Sequence, residues 1–123
     1  MTKIAIIEDD QTIRQMYRMK FETDGFNVQM AENGRAGVTL VKDFAPDIVL
    51  LDLQMPEMGG AEALEEIRRD DWGKMVPVII LTNMGKEESP KNLSHLNVSS
   101  YIVKADMTPS QVVARVKETL NVT

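Results

Sequence analysis

Cysteine is absent from these 123 residues, and histidine occurs once, at position 95. Without cysteine there are no disulfides, no thiolate zinc sites and no thiol nucleophile. His95 falls in a polar segment, where exposure is expected and neither a metal nor a catalytic role. Long apolar runs are missing too: none approaches the roughly 18–20 residues that cross a bilayer. The opening MTKIAIIEDD sets one lysine and a short apolar tetrad before three acids, which is no signal peptide. These features read as a soluble, cytoplasmic chain with no membrane partner. Positive charge is also scarce, 14 Lys and Arg against 19 Asp and Glu, for a net charge of −5. That balance argues against direct nucleic-acid binding, since phosphates demand a basic footprint.

What is present is ordinary globular material. The hydrophobic fraction is 43%, too high for a disordered chain and suited to one core. No repeat, linker or low-complexity stretch divides the sequence, so residues 1–123 read as one domain. The nine methionines read first as adaptable core filling.

Periodicity alternates along the chain. KIAIIE is a β-branched run, and DQTIRQMYRMKFETDG follows with Ile13, Met16, Tyr17 and Phe21 at helical spacing. FNVQMAE alternates as a strand does; NGRAGVTLVKDF then places Gly37, Leu40, Val41 and Phe44 on one stripe. Pro46 ends that helix and opens the strand DIVLLDL. The helix GGAEALEEIRRD, the strand VPVIILTN and a polar segment from Gly85 to Leu96 come next. Strand SYIVK and helix TPSQVVARVKETL, packing through Val112, Val113, Val116 and Leu120, close the chain. Five strands alternating with five helices predict an α/β fold. The expected form is a five-stranded parallel sheet of order 2-1-3-4-5 with helices on both faces, a three-layer α/β/α sandwich. A fourth helix would be short and begin near Pro90, which suits a first-turn position. In such folds ligands bind beyond the carboxyl ends of the strands.

Four of those ends carry polar groups: Glu8-Asp9-Asp10 after the first strand, Asp52 after the third, Thr82 after the fourth and Lys104 after the fifth. Asp10 precedes a helix and reads as its N-cap. Carboxylates brought together repel; two unit charges ~4 Å apart cost about 4 kcal/mol at an effective dielectric near 20. Such a cluster takes up protons or binds a cation. Hard oxygens without His or Cys favour Mg2+, with Mn2+ as a substitute. An ammonium and a hydroxyl facing the same point suit phosphoryl oxygens, so the chemistry suggested is phosphoryl transfer with a carboxylate nucleophile.

IIEDD, LLDLQMP, LT and YIVK, in this order and spacing across nearly the whole chain, resemble the signature of two-component response regulator receiver domains of the chemotaxis-regulator type. The resemblance implies that Asp52 is the phosphoacceptor. It would attack a phosphohistidine on a sensor histidine kinase or histidine phosphotransfer protein. It further implies Asp9 and Asp52 as direct Mg2+ ligands, Glu8 as a ligand through water and the backbone carbonyl of Gln54 as a third protein ligand. Thr82 and Lys104 would hold phosphoryl oxygens, and Thr82 with Tyr101 would form the switch. Activation would alter partner binding on the face of the fourth helix, fifth strand and fifth helix. The output would be a downstream effector protein, or a further domain from which this one was excised. Enzymatic activity would be limited to phosphoryl capture and slow loss.

Two positions depart from the family pattern. Ala105 follows Lys104 where proline is usual. The 104–105 peptide is therefore expected to be trans with a shifted 104–108 loop, or cis under strain. Ser99 and Ser100 stand where regulators with a winged-helix output usually carry two acids, so an acid-dependent receiver dimer is not expected. Two rivals from other classes are a Mg2+-dependent phosphohydrolase and a flavin-binding electron carrier. The first usually has an acid where Gln54 stands; the second needs a Ser/Thr/Gly-rich phosphate loop where this chain has EDDQT.

Overall fold

A computed structural model describes residues 1–122. The strands are β1 (Lys3–Ile7), β2 (Asn27–Ala31), β3 (Ile48–Leu51), β4 (Val78–Thr82) and β5 (Ser100–Val103). They form one parallel sheet in the order β2-β1-β3-β4-β5. The α-helices among the described residues are α1 (Gln11–Thr23), α2 (Gly34–Phe44), α3 (Gly60–Arg69) and α4 (Pro109–Leu120).

Alternation along the strands divides the interior into two layers. Ile4, Ile6, Ile48, Leu50, Ile79, Leu81 and Ile102 face Tyr17 and Phe21 of α1 and Val112, Val113 and Val116 of α4. Ala5, Ile7, Val49, Leu51, Val78 and Ile80 face Val41 of α2 and Leu64 and Ile67 of α3. The central strands are covered on both sides, which explains why β3 and β4 read as unbroken apolar runs. Of the expected stripe on α1, Met16 is not a core residue; it is 41% exposed. At the helix starts, Asp10 caps α1 by accepting from the Ile13 N–H at 2.9 Å, and Asn33 caps α2 from Ala36 at 2.8 Å. Thr108 and Gln111 form a capping box at α4, with Pro109 at its first position.

The expected helix between β4 and β5 is absent; 3-10 turns at Lys86–Glu88 and Lys91–His95 take its place. Among the described residues the sandwich therefore carries four α-helices, not five. Ser89, held extended by the following Pro90, separates the two turns. The hydroxyls of Ser89 and Ser94 donate to the carbonyls of Lys86 and Lys91, which diverts helical acceptors. This segment is anchored elsewhere by Leu93, which is buried, and by Asn92 donating to Glu65 of α3.

Arg68, in the last turn of α3, ties the amino-terminal edge of the sheet together. Its guanidinium donates to the carbonyls of Gly73 at 2.9 Å and Val76 at 2.8 Å ahead of β4. It also donates to Leu96 at 2.8 Å and Asn97 at 3.1 Å ahead of β5. Trp72 lies in the 3-10 turn Asp71–Gly73 before β4, packed against the α2/α3 layer. Among the described residues no helix is long and apolar enough to cross a membrane.

Candidate functional site

The register places the acids together. Ile7 pairs with Leu51 across β1 and β3, so Glu8 and Asp52 are the first residues past adjacent central strands. The ladder continues through both: Glu8 N–H donates to Ala31 O and Asp52 N–H to Ile7 O, each at 3.0 Å. Glu8 and Asp52 are buried, at 4% and 6% exposure, while Asp9 is exposed. Carboxylate oxygens of Glu8, Asp9 and Asp52 lie within 4.8 Å of one another. The Lys104 ammonium, brought in from the end of β5, pairs with Glu8 and lies 3.3 Å from Asp52 Oδ2. The other Glu8 oxygen accepts from the Asp10 N–H at 3.0 Å, and Asp52 Oδ1 from the Gln54 N–H at 3.3 Å.

Past Asp52 the chain turns sharply into α3. A Cβ on Gly60 would stand 2.1 Å from the Asp52 carbonyl oxygen, so only glycine lets the helix start this close to the strand end. Thr82, fully buried at the end of β4, accepts from the Met84 N–H at 3.3 Å. The Tyr101 hydroxyl donates to the Met84 carbonyl at 2.8 Å, so strand β5 grips the loop that Thr82 begins. The 104–105 peptide is trans, as no cis bond occurs among the described residues, and Lys104–Asp106 form a 3-10 turn. His95 is exposed.

Sequence reasoning misses Arg14. Its Nη1 donates to the carbonyls of Glu8 at 2.8 Å and Asp9 at 3.3 Å. The available signal was a cation near the start of a helix, where the helix dipole disfavours positive charge.

With all three carboxylates ionised, one ammonium leaves two negative charges uncompensated. Asp9 accepts no side-chain hydrogen bond among the described residues. The donor set is all oxygen, which fits a hard divalent cation. Burial pushes the Glu8 carboxyl up to about 7, outweighing the Lys104 and Asp10 hydrogen bonds that oppose it. Lys104 also loses solvation, which pulls its pKa down, but Glu8 and Asp52 more than reverse this and hold it above the ordinary lysine value.

A pH dependence follows. Between 4.5 and about 7 folded Glu8 binds a proton that the unfolded chain releases, so metal-free stability falls as pH rises through that interval. Lys104 stays charged in both states across it. The Glu8 contribution is on the order of 3 kcal/mol. Urea midpoints in EDTA at about pH 5 and about pH 8 measure it. Glu8→Gln should flatten the difference, and an unaltered slope in that variant would assign the effect to another group.

A family model described as "Response regulator receiver domain" matches residues 4–117. The chain belongs to the response regulator receiver family. Among curated relatives of this receiver, the regulatory protein AtoC of Escherichia coli is 34% identical over 102 residues. That alignment covers 83% of this chain and 22% of AtoC. The transcriptional regulatory protein ResD of Bacillus subtilis is 35% identical over 119 residues, covering 97% of this chain and 48% of ResD. The receiver thus spans about half or less of the length of these relatives. In fold it is similar to the Vibrio cholerae chemotaxis protein CheY4, with a TM-score of 0.88 at 24% identity over 97% of this chain and 98% of that one.

Proposed function

We propose that this receiver is a phosphorylation-controlled switch of a two-component phosphorelay. Asp52 takes a phosphoryl group from a phosphohistidine on a sensor histidine kinase or histidine phosphotransfer protein, in a Mg2+-dependent reaction. The observation that carries this reading is the convergence of Glu8, Asp9, Asp52 and Lys104 at the carboxyl edge of the sheet.

Glu8, Asp9, Asp52 and the Gln54 carbonyl would hold Mg2+, or Mn2+ in its place. When bound, the ion supplies charge neutralisation and a Lewis acid for phosphoryl oxygens. The chain's own residues do the rest. Asp52, fixed to the strand ladder through its own N–H, is held in orientation for in-line attack on phosphorus. One carboxylate oxygen forms the new P–O bond while the P–N bond to the donor imidazole breaks and its electron pair leaves with the ring. Lys104 shifts its ammonium from the carboxylates to a phosphoryl oxygen, and the Thr82 hydroxyl donates to another. Hydrolysis of the aspartyl phosphate later resets the site, slowly.

The added phosphoryl group brings about −1.5 to −2 charges. Thr82 moves toward it, and Tyr101, whose hydroxyl grips the Met84 carbonyl, repositions with that loop. A cleft of about 740 Å3 between the 86–95 turns and β5, walled by Tyr101, Leu93 and Ser100, then changes its preference for an effector protein or attached output domain. Ser99 and Ser100 supply no carboxylates for a dimer on that face. The domain does not bind nucleic acid or membrane directly, and it acts in the cytoplasm.

Incubation with Mg2+ and a small acyl phosphate, read by intact mass, tests this function. One phosphoryl group should appear, and EDTA should prevent it. Equal labelling in EDTA would remove the cation from the mechanism, and no labelling would remove the switch.

A further inference from the structure

We propose that Arg14 is a positioning residue for the cation site, acting on the backbone of the turn that carries Glu8 and Asp9. The proposal rests on the Mg2+-binding reading above and adds a residue that touches neither the cation nor the phosphoryl group.

The turn from Glu8 to Asp10 has an uneven set of restraints. Glu8 is buried and held through both carboxylate oxygens, by Lys104 and by the Asp10 N–H. Asp9 is exposed and its carboxylate has no partner among the described residues. What fixes Asp9 is its backbone. Side chains on a helix lean toward the amino terminus, and Arg14 follows that lean back past its own turn. There Nη1 bridges the carbonyls of Glu8 and Asp9, at 2.8 and 3.3 Å. Its own N–H makes the first helical bond of α1, to Asp10 O at 2.9 Å. One residue thus locks the strand end and the helix start to each other across the two acids.

The placement runs against local preference, since a cation near a helix amino terminus opposes the dipole. Departures from local preference concentrate at functional sites. Charge gives the discriminating test. A guanidinium bonded to the backbone of the turn that carries Glu8 and Asp9 repels a divalent cation held there, so a purely electrostatic role predicts tighter Mg2+ binding when Arg14 is removed. A positioning role predicts the opposite, because Asp9 loses its fixed backbone and must be ordered on binding. Partners that orient a ligand typically account for ~10–100-fold in metal affinity.

Calorimetric titration of the full chain with Mg2+ alone, at about pH 8 where Glu8 is ionised, separates these. Arg14→Ala should weaken binding about tenfold. Arg14→Lys keeps one donor and the charge, and should stay within about threefold of wild type. Arg14→Gln drops the charge and keeps a donor; it should bind better than Arg14→Ala. Amide exchange at Asp10 in EDTA should quicken in Arg14→Ala, and urea midpoints establish that each variant is folded. If Arg14→Ala does not fold, the Lys and Gln variants carry the test, and a Gln variant tighter than both wild type and Lys overturns the proposal. Equal or tighter binding by folded Arg14→Ala also overturns it. A wild type that binds no Mg2+ overturns the cation reading itself, a result distinct from either.

Discussion

Asp52→Asn should gain no phosphoryl group under conditions that label the wild type to completion, a loss of at least about 100-fold by intact mass. The substitution is nearly isosteric, and its side-chain oxygen still accepts from the Gln54 N–H, which lies 3.3 Å from Asp52 Oδ1. What disappears is the carboxylate proposed as nucleophile, because an amide oxygen is weakly nucleophilic and stays neutral at every accessible pH. Misfolding is not expected to explain the loss. Asp52 is among the causes that raise the Glu8 carboxyl, so its neutralisation relieves repulsion within the cluster. The variant should unfold in EDTA at a urea concentration no lower than the wild type. Full labelling of Asp52→Asn would move the acceptor to another residue, and a severe fall in stability would make the assignment depend on a second neutral variant.

Arg68→Ala should cost about 3 kcal/mol and lower the melting temperature by about 10 °C. Hydrogen bonds from a charged donor contribute roughly 1.5–3 kcal/mol each, and they are not additive when one side chain makes them all. Five carbonyls, of Gly73, Lys74, Val76, Leu96 and Asn97, lose this donor together. Burial already pulls the Arg68 guanidinium below the ordinary arginine pKa, a sign of solvation given up for these contacts. Lysine has no planar fork to span the two connections, so Arg68→Lys should recover less than half of the loss. Amide exchange at residues 96–99 should rise in both variants. Because these carbonyls sit at the amino-terminal edge, phosphoryl capture by the folded fraction should persist. A loss below about 1 kcal/mol would mean that water replaces the guanidinium there.

The sheet was legible because its pattern is redundant. Apolar residues run unbroken at Ile48–Leu51 and Val78–Leu81, turn residues separate the elements, and each helix stripe points to a face. The acids and Lys104 were legible because topology alone brings strand ends together. Other features escaped for physical reasons. Pro90 was compatible with a helix start, but Ser89 and Ser94 claim the carbonyls a helix would use, and residue type alone does not reveal that competition. Met16 fits the helical period of α1, yet it is exposed and lines an open cleft with Met19, Pro109 and Ser110. Arg14 and Arg68 bind backbone carbonyls, which every residue carries, so no partner motif in the sequence marks them.

The position of Trp72, in the turn that leads into β4, decides what light can report about this molecule. It is the single indole of the chain, and the sheet separates it from the acids, which gather where the strands finish. Its emission should therefore follow global unfolding and stay unchanged on the ion and phosphoryl binding proposed for the far rim. A tryptophan placed just after Asp52, at Leu53 or Gln54, would give that rim an optical reporter of its own.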